Sequence, residues 1–197
     1  MGVGPISGLS VMNFRRVAVP LLPLAAIACG SDGGASSAPP GQQQITASGR
    51  IFSVDDLKSA GFKTSKQYDV TDLPGAVDAW FGFFKADGKN PIDYEVRFYG
   101  SHEDAVAFGV APADEASGED ALLDEETTSW PVGLKDRKKL ASGGTADLAA
   151  WSGKLQTKYG DFVVLGNMVL LCEGTTSEEA LERCDALLQN VAGEGAA

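Results

Sequence analysis

Apolar and polar positions alternate in two periods along the second half of the chain, and twice in the same order: an apolar hairpin, then a helix. In the first stretch, Trp80-Phe81-Gly82-Phe83-Phe84 and Tyr94-Glu95-Val96-Arg97-Phe98-Tyr99 flank the turn-forming run Ala86-Asp87-Gly88-Lys89-Asn90-Pro91. The later strand alternates Tyr94, Val96 and Phe98 with charge, the pattern of a strand with one buried face. Ser101 and Asp104 then form a capping-box pair that opens a helix, with Ala105, Val106, Phe108 and Gly109 on its inner side and Pro112 as its expected end.

In the second stretch, Phe162-Val163-Val164-Leu165 and Met168-Val169-Leu170-Leu171-Cys172 flank only Gly166-Asn167, where glycine first suits a type II′ turn. Thr176 and Glu179 cap a helix whose Ala180, Leu181, Cys184, Leu187, Leu188 and Val191 recur at three- and four-residue steps, and Gly193 supplies a stop. A shorter helix is expected after Ser53, ended by Gly61, and Asp69 to Gly75 reads as irregular chain with a Pro74-Gly75 turn.

These elements predict a two-layer α+β domain over residues 45–197, an antiparallel sheet built from two hairpin-helix units with both helices on one face. The last hairpin is apolar at nearly every position, so both faces of its strands need cover. Either the Ser53 helix and the insert between the units supply it, or a partner does.

The first forty-odd residues have a different pattern. Met12-Asn13-Phe14-Arg15-Arg16 precedes the apolar run Val17 to Ala28, and then comes Cys29, the charged, apolar and small-residue order of a secretory signal. Twelve apolar residues make a helix of about 18 Å against a hydrocarbon core of roughly 30 Å, too short to span it. Met1 to Val11 add nothing to this signal, and translation from Met12 would preserve it whole. Gly30 to Gln44 holds no aliphatic residue larger than alanine and reads as a flexible tether.

Ala26-Ile27-Ala28-Cys29 resembles the lipobox of bacterial lipoproteins, although alanine stands where leucine is commoner, three before the cysteine. The resemblance covers the leader and tether alone. It implies cleavage before Cys29, lipid on that sulfur, and a domain held on the outer side of a membrane. An ordinary secreted protein with an unpaired Cys29 is the alternative.

Charge narrows the partners. The formal net charge is −11, and losing Arg15 and Arg16 with a leader makes it −13. Such a body is repelled by nucleic acid and by anionic lipid head groups, so a membrane partner is expected only through the lipid.

Three groups of residues carry candidate chemistry. Cys172 and Cys184, twelve apart and both inward by periodicity, are placed to form a disulfide, with two buried thiols as the alternative. Trp80, Phe81, Phe83, Phe84, Tyr94, Phe98 and Tyr99 either pack a core or line a surface for an apolar ligand or protein partner. Asp114, Glu115, Glu119, Asp120, Asp124, Glu125 and Glu126 crowd an acidic insert at about 112–150. Of these, Asp120, Asp124 and Glu125 are weak calcium candidates, and the expected state is a solvated flank balanced by Lys135, Arg137, Lys138 and Lys139.

His102, the only histidine, falls at a helix start where side chains face water. No nucleophile elbow, phosphate loop or zinc motif occurs, and no cofactor is implied. The composite expectation is a membrane-anchored, non-catalytic binding domain. An envelope carrier of small molecules or ions and a carboxylate-pair hydrolase are the rivals.

Overall fold

Local signals in the chain set most of the boundaries seen in a computed structural model, which describes residues 1, 2, 4, 44–86, 90–140 and 155–194. The elements are β1 (Ile45–Thr46), α1 (Val54–Ser59), β2 (Lys63–Gln67), β3 (Ala76–Phe84) and β4 (Ile92–Tyr99). A helical stretch follows, made of α2 (His102–Asp104), a π-helical turn (Ala105–Gly109) and α3 (Val110–Asp114). After it come α4 (Leu134–Arg137), β5 (Lys138–Leu140), β6 (Leu155–Thr157), β7 (Tyr159–Leu165), β8 (Met168–Glu173) and α5 (Ser177–Glu194). The chain divides into two units, Met1–Ser37 and Ala38–Ala197, and every element belongs to the second. Cys29, its apolar leader and the tether as far as residue 43 lie outside the described residues, as do the hairpin turn at 87–89 and the end of the insert. Among the described residues no helix is long and apolar enough to cross a membrane.

The class is α+β. Six strands pair in the order β1-β7-β8-β4-β3-β2, with β5 and β6 forming a separate ribbon. Every pairing of the main sheet is antiparallel except that β1 runs parallel to β7. The two hairpins lie side by side through β4 and β8, with Val96 opposite Leu170.

The capping predictions hold in detail. Asp56 accepts from the Ser53 N–H at 2.8 Å, the Asp104 N–H donates to Ser101 Oγ at 3.1 Å, and the Glu179 N–H donates to Thr176 Oγ1 at 3.2 Å. Gly166 takes a positive φ of 54° in the β7–β8 turn, as glycine-first hairpins require. Asn167 beside it accepts from the Phe52 N–H and donates to the carbonyls of Phe52 and Tyr99, which ties the chain before α1 to the sheet.

The prediction that both helices share one face is overturned. On the first face, α1 and α5 cover Tyr94, Val96, Phe98, Val163, Met168, Leu170 and Cys172. The stretch from α2 to α3 lies on the second face, against Tyr99, Phe162, Val164, Val169 and Leu171. The domain therefore has helices on both sides of the sheet. The stretch follows β4 but packs on Val169 and Leu171 of the adjoining β8, which is apolar on both faces, so the alternation along β4 alone does not decide which face takes the helix. Gly109 permits the approach on the second face, since a Cβ there would lie 2.8 Å from the Tyr99 ring and from Val169.

Pro112 does not end its helix, which continues to Asp114. Proline lacks the N–H that would donate to the preceding turn, and here that turn is the widened π-helical one at Ala105–Gly109. The acidic insert is more than a solvated flank: Ala116, Ser117, Trp130, Leu134 and Arg137 from it are buried as cover for the second face.

Cys172 and Cys184 are joined by a disulfide with their Cα atoms 5.6 Å apart, which fastens α5 to β8 within the first core. Replacing both cysteines by alanine is expected to lower the unfolding free energy by about 3 kcal/mol. Denaturant unfolding of wild type and double variant under oxidising conditions checks this, and coincident midpoints would contradict it.

Candidate functional site

Glu95 and Arg97 sit two apart on β4 and so point to the same face of the sheet. Their alternation with Tyr94, Val96 and Phe98 suggests a solvated second face. The structure corrects this: Glu95, Arg97 and Arg137 are 0%, 0% and 1% exposed, because the insert lies over them. Buried charge is tolerated only when paired. Glu95 Oε1 accepts from Arg97 Nε at 2.8 Å and from Arg137 Nη2 at 3.0 Å, while Oε2 accepts from Arg137 Nε at 2.7 Å.

Arg137 also holds its own segment in shape by donating to the carbonyls of Trp130 at 3.0 Å and Val132 at 2.8 Å. Both guanidinium groups lie over the Trp130 ring, 5.0 Å and 4.8 Å from its centroid for Arg97 and Arg137. Tyr68 meets the same ring edge to face at 5.8 Å and donates its hydroxyl to Asp136. Burial alone would raise the Glu95 pKa, but Arg137 and then Arg97 outweigh it and hold the carboxyl below its ordinary range. Burial raises Tyr159 well above the usual phenol value, and the Glu95 charge adds to that.

Beside this cluster a cleft of about 800 Å³ opens at the end of the sheet. Its walls come from Gly118 to Ala121 and Leu123 of the insert, Lys139 on β5, and Leu155 to Thr157 on β6. Tyr159 and Gly160 on β7 and the turn from Gly174 to Ser177 before α5 complete them. Glycine is needed at two of these positions: a Cβ on Gly160 would lie 2.4 Å from the Thr176 carbonyl, and one on Gly174 would lie 2.7 Å from the Ala180 nitrogen. Those contacts seat the start of α5 directly on the strands. Thr157 closes the inner end by donating its hydroxyl to the Ala116 carbonyl at 2.7 Å.

The aromatic residues singled out from the sequence are not brought into one surface. Phe84, Tyr94 and Phe98 are buried in the first core and Tyr99 in the second, while Trp80, Phe81 and Phe83 are half-buried along β3. Tyr94 donates its hydroxyl to the Arg183 carbonyl at 2.9 Å, a structural use. Of the acidic residues, Glu119 and Asp120 reach the cleft and are exposed. Asp124 binds its own turn, accepting from the Glu126 N–H at 2.9 Å, and Glu125 is exposed. Among the described residues no three acidic, cysteine or histidine side chains stand together as a metal site would require. His102 is half-buried, with Nδ1 2.9 Å from the Gly166 carbonyl, and so holds the β7–β8 turn instead of facing water.

The family model described as a family of unknown function, DUF6810, matches residues 53–193, and the chain belongs to that family. No curated protein and no solved structure matches the chain.

Because Glu95 is held ionised by the fold, its contribution to stability is full above the unfolded carboxyl value of about 4.3. It is lost as the pH falls through the lower folded value. Glu95→Gln is therefore expected to flatten the acid side of the stability profile, and Glu95→Ala, which strands two guanidinium groups, to cost about 3–5 kcal/mol at neutral pH. Urea unfolding across pH 3 to 7 measures both; an unchanged acid limb in Glu95→Gln would refute the assignment.

Proposed function

We propose that this member of the family is exported and held at a membrane surface by lipid on Cys29, where residues 45–197 act as a non-catalytic binding domain. The observation that carries the address is the run from Arg15-Arg16 through Val17 to Ala28 up to Cys29, followed by a tether without large aliphatic residues. The disulfide between Cys172 and Cys184 supports it independently, because such bonds persist in oxidising compartments outside the cytosol. Several acyl chains on Cys29 would give stable anchoring where one alone gives only marginal binding.

Its contact surface is the cleft beside Tyr159. Five separate segments converge on it, and their side chains are mostly small or polar, which suits hydrogen bonding to a polar ligand better than burial of an apolar one. Glu95, the most enclosed carboxylate nearby, is paired with two cations and has a lowered pKa, the opposite of the raised value a general acid needs.

Expression of the full-length protein and Cys29→Ala in a bacterial host, followed by detergent phase partition and mass spectrometry of the mature N-terminus, tests the anchor. Wild type is expected in the detergent phase with an acylated Cys29, and the variant in the aqueous phase. Wild-type protein with a bare sulfur would overturn the proposal. For the cleft, a polar fragment set screened by protein NMR should perturb amides of 118–123, 156–160 and 174–177, and Thr175→Trp should abolish those shifts. Perturbations confined to β2 and β3 would move the contact surface elsewhere.

A further inference from the structure

The helical stretch after Ser101 carries its small residues inside and its large ones outside. From Ala105 to Ala113 every residue is aliphatic, aromatic, glycine or proline, and a helix that is apolar all round needs cover on its outer side as well as its inner one. The inner stripe is Ala105, Gly109, Ala113 and Ala116, all buried against the second face of the sheet. Val106 and Phe108, which the sequence pattern also places on the inner side, turn outward instead and are 37% and 44% exposed. The backbone at Gly109 sits too close to Tyr99 and Val169 to admit even a Cβ, so no space remains beneath it for a phenyl ring.

Phe108 is fixed where it stands. Its ring lies on the Pro74-Gly75 turn, where a Cβ on Gly75 would fall 2.6 Å from Phe108 Cδ2. Val77, two residues beyond that turn, is 63% exposed at the point where β3 slips in register against β4. An aromatic ring already held in place, with aliphatic neighbours, loses little freedom on contact and makes an effective docking anchor. Single exposed apolar residues carry no message, whereas a group with a polar rim marks an interaction surface.

The rim here is acidic. Glu103 and Asp104 precede the apolar run, Asp114 and Glu115 follow it, and Asp72 is exposed beside the Pro74-Gly75 turn. No lysine or arginine occurs in the sequence between Arg97, which is buried, and Lys135. A second copy docked on this surface would set acid against acid, and anionic lipid would be repelled in the same way. A cationic partner is favoured at both ends of the run, with Glu103 and Asp114 roughly 16 Å apart along the helical stretch.

We infer that the outer side of this stretch, centred on Phe108, docks a protein segment whose apolar side chains lie between flanking lysines or arginines. The surface does not depend on the lipid anchor or on what the cleft binds.

The full-length protein is titrated into a labelled synthetic amphipathic helix with leucines along one side and lysines at both ends, and into its counterpart with glutamates for lysines, with fluorescence anisotropy as the readout. The lysine peptide is expected to bind, more weakly as salt is raised, and the glutamate peptide not to bind. Val106→Ser/Phe108→Ser is expected to weaken binding by about tenfold or more. Glu103→Lys/Asp114→Lys leaves the apolar side chains in place and is expected to reverse the preference towards the glutamate peptide, a readout that stands even if the serine variant folds poorly. Equal binding of the lysine peptide by wild type and both variants would overturn the inference. So would a dimer in sedimentation that the serine variant abolishes, or binding to phosphatidylcholine vesicles that depends on Phe108 in place of binding to the peptide.

Discussion

The salt-bridged pair of Arg97 and Arg137 on Glu95 governs how the second half of the molecule is put together. Glu95 and Arg97 belong to β4, while Arg137 arrives from the far end of an irregular stretch that begins after α3. No run of apolar residues in that stretch is long enough to fix its path. The carboxylate does so instead, because a buried guanidinium making four hydrogen bonds has very few alternative places to go. Such a cluster adds little net stability over an apolar core of equal volume, yet it is severe on any arrangement that separates its members. Its value here lies in selecting one path for residues 115–140, and with it the position of Trp130 over the sheet.

What is legible in the sequence divides along the same line. Elements whose signals are local come through: three capped helix starts, the glycine-first turn at Gly166, and an inward-facing cysteine pair joined as expected. Features that depend on tertiary choice do not. The edge strands β1 and β2 are two and five residues long and polar or exposed, so they have no apolar alternation to betray them. The face chosen by the helix after Ser101 is invisible because its neighbouring strand β8 is apolar on both sides.

Glu95 and Arg97 are hard to read for a related reason. Alternation along β4 by itself describes a strand with one solvated face, whereas the adjoining β8, apolar throughout, requires cover on the second face as well. A charged residue on a strand paired with a doubly buried one must itself be buried, and then a partner of opposite sign must come from elsewhere in the chain. Residue types alone carry both halves of that requirement, since Arg137 is among the few cations in the segment that has to supply the partner. Which of those cations turns inward is a tertiary choice, and only the packing of Trp130 and Tyr68 around the guanidinium decides it.

The two faces are secured in physically different ways, which bears on where the molecule can move. On the first, α5 is fastened to β8 by a covalent bond and buries Ala180, Cys184, Leu187 and Val191 in a continuous core. On the second, the cover from Ala116 to Arg137 makes few regular backbone bonds and depends on charge pairing around Trp130. Segments with few apolar contacts open at lower free energy than covalently stapled cores. Opening of the second face would therefore part the insert from the sheet while α5 stays seated, widening the cleft along the wall formed by Gly118 to Leu123 and leaving the wall at Gly174 to Ser177 in place. A cleft with one fixed and one yielding wall can admit a ligand without unfolding its scaffold, and the same movement would expose Tyr159 and the charges behind it.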